Sequence, residues 1–183
     1  SSTLSDCGLN RDQFIINVSN RKIVQGLINE LKISEEKQVK VIRAIDKLDK
    51  PGFGLKGVED LLKKERKDQS GAVTKGADLT DEQATQILSF LKIKDLKELK
   101  QTLKNQLSQE GISELENVFE VLGYGSNLNQ VKTNFTIVRG LAYYSDFIVE
   151  TNLNIKVTNN KGKEVDIGSI CSGGAYAKLI SRF

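Results

Sequence analysis

The residues best equipped for chemistry lie in two short stretches, Thr136-Ile137-Val138-Arg139-Gly140-Leu141-Ala142-Tyr143-Tyr144 and Cys171-Ser172-Gly173-Gly174-Ala175-Tyr176-Ala177. A guanidinium within an apolar, β-branched run is out of place in a buried strand unless it meets a partner or a ligand, because desolvating a charge is costly. Arg139 offers a planar fork of donors that matches a carboxylate or a phosphate, and Gly140 lets a ligand approach the backbone. Successive strand residues point to opposite faces, so only one of Tyr143 and Tyr144 enters a given pocket. The same residues admit an architectural reading, in which Arg139 emerges at a strand end, Gly140 marks a bulge and the tyrosines pack as amphipathic sheet residues. Gly173 and Gly174, ahead of Tyr176, serve either as a tight turn or as the second half of one site.

Composition narrows the chemistry. The 183 residues include no histidine and only two cysteines, Cys7 and Cys171. That leaves no zinc-ligand spacing, no disulfide framework and no imidazole to act as base for a serine or cysteine nucleophile. No metal site is expected. The net charge of +3 is a weak excess with acids and bases interspersed, compatible with nucleic acid without pointing to it. The lysine-rich runs at 61–70 and 92–107 fit solvated helix faces; in the second, Leu96, Leu99, Leu103 and Leu107 form a packing stripe with the lysines outside. Neither a phosphate-binding Gly-Lys-Ser/Thr loop nor a dinucleotide motif after a strand is found. No apolar run approaches the roughly 18 residues of a bilayer span, and the N-terminus carries no secretory pattern, so a non-membrane, cytoplasmic protein is expected. The lack of methionine suggests a chain beginning inside a longer gene product.

The elements that would position these residues follow from periodicity. Residues 13–18 form a strand ending where Ser19 is placed to cap a helix over Arg21–Lys32, with Ile23, Val24, Leu27, Ile28 and Leu31 on one face. Ser34 opens a second helix with the stripe Val39, Ile42, Ile45 and Leu48, which stops at the sole proline, Pro51. From Leu55 to Phe119 the 3.6-residue period dominates. Thr80 with Gln83 and Ser113 with Glu116 have capping-box spacing, and this middle section reads as a small all-helical unit. Strand character returns over 134–139 and 144–150. A hairpin turns at Asn159-Asn160-Lys161-Gly162, and a diglycine turn leads into a short terminal helix. An antiparallel meander follows. The fold class is therefore α+β, divided into 1–50, a helical insertion at 51–119, and 120–183.

With these motifs in view, the chain resembles the histidyl-tRNA synthetases. Residues 138–150, VRGLAYYSDFIVE, resemble the family's Arg-Gly-Leu-Asp-Tyr-Tyr-Thr-Gly motif and its following strand, and 171–180, CSGGAYAKLI, resemble its Gly-Gly-Arg-Tyr-Asp motif. VSNRKIVQGL at 18–27, DKLDK at 46–50 and the helical insertion are similar to the region that the family places between its second class II motif and its histidine motifs. The resemblance implies part of a class II antiparallel catalytic sheet interrupted by an insertion domain that closes over the tRNA acceptor stem. It implies activation of histidine by ATP, with magnesium, and transfer to tRNA by a homodimeric parent enzyme. By matching position, Arg139 would contact the histidine carboxylate and the α-phosphate. Tyr143 and Tyr144 would line the histidine site, with Gly173, Gly174 and Tyr176 on the imidazole side. Three charged family positions are alanine here, Ala142, Ala175 and Ala177, and Ser145-Asp146 stand where Thr-Gly is usual. No stretch matches the class II motifs that form the dimer and grip ATP, so the chain by itself is expected to be an incompetent ligase, the alternative being a non-catalytic, synthetase-like tRNA-binding or regulatory protein.

If 51–119 opens as a unit, limited proteolysis should cut first near Pro51 and near Gly123, read by mass spectrometry of the fragments. Resistance at both places would mean one fused core.

Overall fold

The structure is a computed structural model, and it describes residues 2–50, 52–67, 73–123, 130–138, 144–165 and 167–176. A short helix, α1 (Ser2–Asp6), leads into β1 (Phe14–Asn20), the strand on which the sheet is built. β1 pairs antiparallel with β5 (Phe147–Leu153) over its whole length, Phe14 opposite Leu153 and Asn20 opposite Phe147. β5 pairs antiparallel with β8 (Ser169–Gly174), and β4 (Val131–Thr133) lies on the far side of β1. The order is β4-β1-β5-β8, and β4 runs parallel to β1. The sheet is thus mixed, where a purely antiparallel meander was expected. A small separate hairpin, β6 (Val157–Thr158) with β7 (Glu164–Val165), turns at the expected Asn159–Gly162, where Asn159 Oδ1 accepts the N–H groups of Lys161 and Lys163.

Strand alternation divides the sheet into two chemical faces. Ile16 and Val18 on β1 and Phe147 and Val149 on β5 join the main apolar core, together with Ile23 and Leu27 of α2 (Arg21–Glu30) and Ile112 and Leu115 of α7 (Gln106–Gly123). Asn17, Glu150 and Asn152 lie on the other face, with Asn17 opposite Glu150. α2 begins one residue later than Ser19 predicts. Ser19 and Asn20 are still paired to β5, so the chain turns only after Asn20, whose side chain accepts the Lys22 N–H at 3.0 Å.

Between α2 and α7 the chain forms α3 (Glu35–Ile45), α4 (Gly54–Lys63), α5 (Asp81–Phe90) and α6 (Leu96–Thr102). Ser34 sits at the start of α3, but the buried face is Val41, Ala44 and Ile45, and Val39 is 51% exposed. Thr80 and Gln83 make the capping box that starts α5. Ser113 and Glu116 do not start a helix: α7 already begins at Gln106, where Asn105 Oδ1 accepts the Ser108 N–H at 2.8 Å. The middle section is also not purely helical, for β2 (Glu65–Lys67) and β3 (Val73–Lys75) form an antiparallel ribbon. Its return arm caps α4, Ala77 N–H donating to Leu61 O at 2.8 Å and Leu79 N–H to Leu62 O at 2.9 Å. One buried cluster runs from Val18 through Leu62, Ile87 and Leu99 to Val138, so the helices between α2 and α7 share a core with the sheet.

The α2–α7 crossing is close because it is lined by small residues. A Cβ at Gly26 would meet Ser108 Oγ, Asn105 Oδ1 and, at 2.7 Å, the Ser108 backbone nitrogen; one at Gly111 would lie 2.9 Å from Lys22 Cβ. Ser108 Oγ donates to Ile23 O at 3.0 Å across the same crossing. Gly26→Ala should therefore destabilise the chain by about 1–3 kcal/mol in urea unfolding, because overpacking against backbone outweighs the ~1 kcal/mol that alanine gains in helix propensity. An unchanged or raised midpoint would show that the two helices separate easily.

Candidate functional site

On the polar face of the sheet, the Tyr144 side chain covers the end of β8. Gly174 stands opposite Ile148 in register, and a Cβ there would lie 2.6 Å from Tyr144 Cγ and Cδ1 and 2.8 Å from Phe147 O. Only a residue without a side chain leaves room for the ring. Tyr144, 5% exposed, packs with Ile137 and Ile148 in a small apolar cluster separate from the main core. The Tyr176 ring meets it edge to face, centroids 4.9 Å apart and planes at 69°, a favoured geometry for aromatic pairs. The two hydroxyl oxygens are 3.4 Å apart, longer than a strong O–H···O bond, and Tyr176 is 44% exposed. The pair thus sets two phenol hydroxyls side by side, a buried Tyr144 against Ile137 and Ile148 and an exposed Tyr176 over it.

The diglycine is the end of a strand and not the expected turn. Gly173 pairs with Val149 and Gly174 with Ile148, and Ala175 continues the ladder, its N–H donating to Phe147 O and its carbonyl accepting from Ser145 N–H, both at 2.9 Å. This pairing brings Tyr176 beside Tyr144. Gly173 differs from Gly174 in that a Cβ there would point to the opposite face and reach only Val149 Cγ1, at 3.4 Å.

Of the residues singled out from sequence, Tyr144, Gly173, Gly174 and Tyr176 stand together; Arg139, Tyr143, Ala142 and Ala177 lie outside the described residues, as does the expected terminal helix. The strand expected over 134–139 is a turn through its described part. Asn134 Oδ1 accepts both the N–H and the hydroxyl of Thr136, at 3.1 and 2.6 Å, and this local bonding competes with extended pairing.

Arg21, Lys22 and Glu114, which carried no sequence signal, and Asp146, noted from sequence only as a departure from the family motif, hold the segment after Tyr144. Arg21 Nη1 donates to Tyr144 O and the Arg21 N–H to Asp146 O, both at 2.8 Å. Burial pulls the Arg21 guanidinium below its ordinary pKa, with Asp146 acting in the opposite sense. Lys22 is hydrogen-bonded to Glu114 on α7 and lies 3.4 Å from Asp146. The Glu114 bond, more than the Asp146 contact, holds the ammonium above the usual lysine value, so this pairing is present in full below the ordinary lysine range and is lost as pH rises beyond it.

Beside the tyrosine cluster, a cavity of about 290 Å³ is walled by Asn17, Glu150 and Asn152 of the sheet and by Asp46, Asp49 and Lys50 beyond α3. Ile137 lines both it and the tyrosine cluster. Asn17 Nδ2 donates to Asn152 Oδ1 at 2.9 Å across β1 and β5. Three carboxylates against one ammonium suit a hydroxyl-bearing or cationic group more than an anion. Among the described residues no group of three or more cysteine, aspartate or glutamate side chains is set to hold a metal ion.

No protein-family model matches the chain. Across all 183 residues it is 74% identical to the histidine–tRNA ligase of Pelagibacter ubique (strain HTCC1062), of which it spans 39%, and it is 38% identical to that of Rhizobium rhizogenes (strain K84), of which it spans 38%. All of this chain is homologous to part of the histidine–tRNA ligases. The crystal structure of the histidyl-tRNA synthetase from Nostoc sp. PCC 7120 matches 98% of the chain with a TM-score of 0.71 at 30% identity, the chain covering 39% of that protein. The α+β class expected from sequence is thus the architecture shared with histidyl-tRNA synthetases, and no described helix is long and apolar enough to cross a membrane.

The close seat of Tyr144 on Gly174 separates the two glycines by experiment. Gly174→Ala should expel the ring and change the near-ultraviolet tyrosine circular dichroism, with a loss of about 1–3 kcal/mol in unfolding free energy, whereas Gly173→Ala should leave the dichroism unaltered. Equal responses from the two variants would contradict the packing.

Proposed function

We propose that this chain supplies the amino-acid-binding side of a histidine–tRNA ligase. Histidine is activated by ATP: a carboxylate oxygen bonds to the α-phosphorus and pyrophosphate leaves, and a tRNA hydroxyl, losing its proton, then takes the histidyl group from the adenylate as AMP leaves. The observation that carries this is the aromatic pair Tyr144 and Tyr176 over Gly174, in a chain with 74% identity to a histidine–tRNA ligase.

In this proposal Arg139 binds the histidine carboxylate and the α-phosphate, where a fixed guanidinium stabilises the negative charge that gathers as the adenylate forms. Tyr143 and Tyr144 line the histidine site, and Gly173, Gly174 and Tyr176 form its imidazole side, where the missing side chain of Gly174 makes room, Gly173 contributes backbone and a phenol hydroxyl meets a ring nitrogen. ATP arrives with magnesium as part of the substrate. Residues 51–119 form the insertion domain and reach the tRNA acceptor stem, within a homodimeric enzyme of the cytoplasm. Ala142, Ala175 and Ala177, standing where the family carries charge, favour a second reading, a synthetase-like tRNA-binding or regulatory protein without catalysis.

Calorimetric titration of the chain with histidine and with ATP separates the two. Saturable histidine binding is expected, and Ala142→Asp, Ala175→Arg and Ala177→Asp, made one at a time, should each tighten it by up to about tenfold, the order gained when a charged partner is restored. Binding of tRNA with no heat from histidine in any of these proteins would leave the second reading in place.

A further inference from the structure

The ring and the backbone of Tyr144 are held by different partners. The ring lies on Gly174 and against Tyr176. Its carbonyl is held from the other side by Arg21, and the same residue's N–H takes the Asp146 carbonyl, so the first turn of α2 grips both sides of Ser145. Lys22, the next residue, places its ammonium between Asp146 and Glu114 of α7. Glu114 also accepts from Asn20 Nδ2 at 2.6 Å, and Asp146 accepts from Ser145 Oγ at 2.6 Å. The side chains of Lys22, Glu114 and Asp146 are 25%, 42% and 30% exposed, so the cluster is partly screened from water, where an ion pair is stronger than on an open surface.

Three parts of the chain far apart in sequence therefore meet at one ammonium: the β1–α2 junction, helix α7, and the segment bearing the pocket tyrosine. A pocket that recognises a small ligand by two hydroxyls tolerates little drift of either ring. Arg21 holds the carbonyls of Tyr144 and Asp146, and Lys22 links the Asp146 side chain to Glu114 of α7.

We propose that Lys22 is a positioning residue for the amino-acid pocket, tying Asp146 to Glu114 so that the seat of α7 sets the orientation of the Tyr144 ring, an inference that rests on the histidine-binding role proposed above. Lys22 touches no substrate; a displacement of α7 reaches Tyr144 through Glu114, Lys22 and Asp146.

The test uses the full chain, Lys22→Met, which keeps the apolar stem, and Lys22→Arg, which keeps the charge. With four tyrosines and no tryptophan, the ring signals of Tyr144 and Tyr176 are assignable by nuclear magnetic resonance using phenylalanine variants, and the cross-peak between the rings reports their packing. Lys22→Met is expected to lose or weaken that cross-peak and to weaken histidine binding about tenfold, with both restored by Lys22→Arg. A lower urea midpoint with the ring cross-peak and the histidine affinity of the folded protein unchanged would make Lys22 a structural residue only and overturn the proposal. Should the original chain bind no histidine, the pocket's role fails, while the ring cross-peak still decides whether Lys22 positions Tyr144. If Lys22→Met does not fold, Glu114→Gln removes the same ion pair from the α7 side and must change the ring cross-peak in the same direction, or the proposal falls.

Discussion

The Tyr144 ring occupies the space that a side chain at Gly174 would fill, and the polar side of the sheet is arranged around that contact. Because Gly174 is opposite Ile148, the ring lies against an apolar floor of Ile137 and Ile148, with its hydroxyl oxygen 3.4 Å from that of Tyr176. An aromatic ring set this way offers a ligand a flat apolar wall and an oriented donor at small entropic cost, since packing has already removed its rotational freedom. The ladder that places Tyr176 continues β8 through Ala175, so the tyrosine pair is positioned by sheet hydrogen bonding and not by a loop laid over the sheet.

The opposite face of the sheet performs a different task with equally close contacts. Gly26 and Gly111 let α2 and α7 approach until Ser108 can bond the Ile23 carbonyl. That approach brings Glu114 to the end of β1, where Asn20 and Lys22 meet it. A helix crossing on the apolar side and a tyrosine on the polar side are thus joined through the few residues at which β1 becomes α2. The strand end is a natural place for such a joint, because side chains of β1, α2, α7 and the segment before β5 converge there.

Much of this was legible where the governing interaction is local. The capping box at Thr80 and Gln83 and the turn at Asn159–Gly162 depend on partners within a few residues, and the apolar face of α2 is marked by the spacing of its own residues. Ser113 and Glu116 have the same spacing as the Thr80 box and yet lie inside α7, because Asn105 had already started that helix and the side chains simply share a helical face. The strand expected from Asn134 gave way to a turn once Asn134 bonded Thr136, a choice that β propensity alone does not register. The helical period of the middle section hid the β2–β3 ribbon, whose strands are short and charged, and whose role is to return the chain to the end of α4.

Residue types alone determined that this is an α+β chain with a polar, tyrosine-bearing motif after an arginine and a diglycine before a second tyrosine, because those features are properties of neighbours along the chain. Tertiary structure decided that the diglycine ends a strand, that β4 runs parallel to β1, and that Lys22 bridges Glu114 and Asp146. Those outcomes join segments that are not neighbours along the chain, with β6 and β7 between β5 and β8, and more than half the chain between β1 and β4 and between Lys22 and Asp146, and their energies exist only after the sheet has closed.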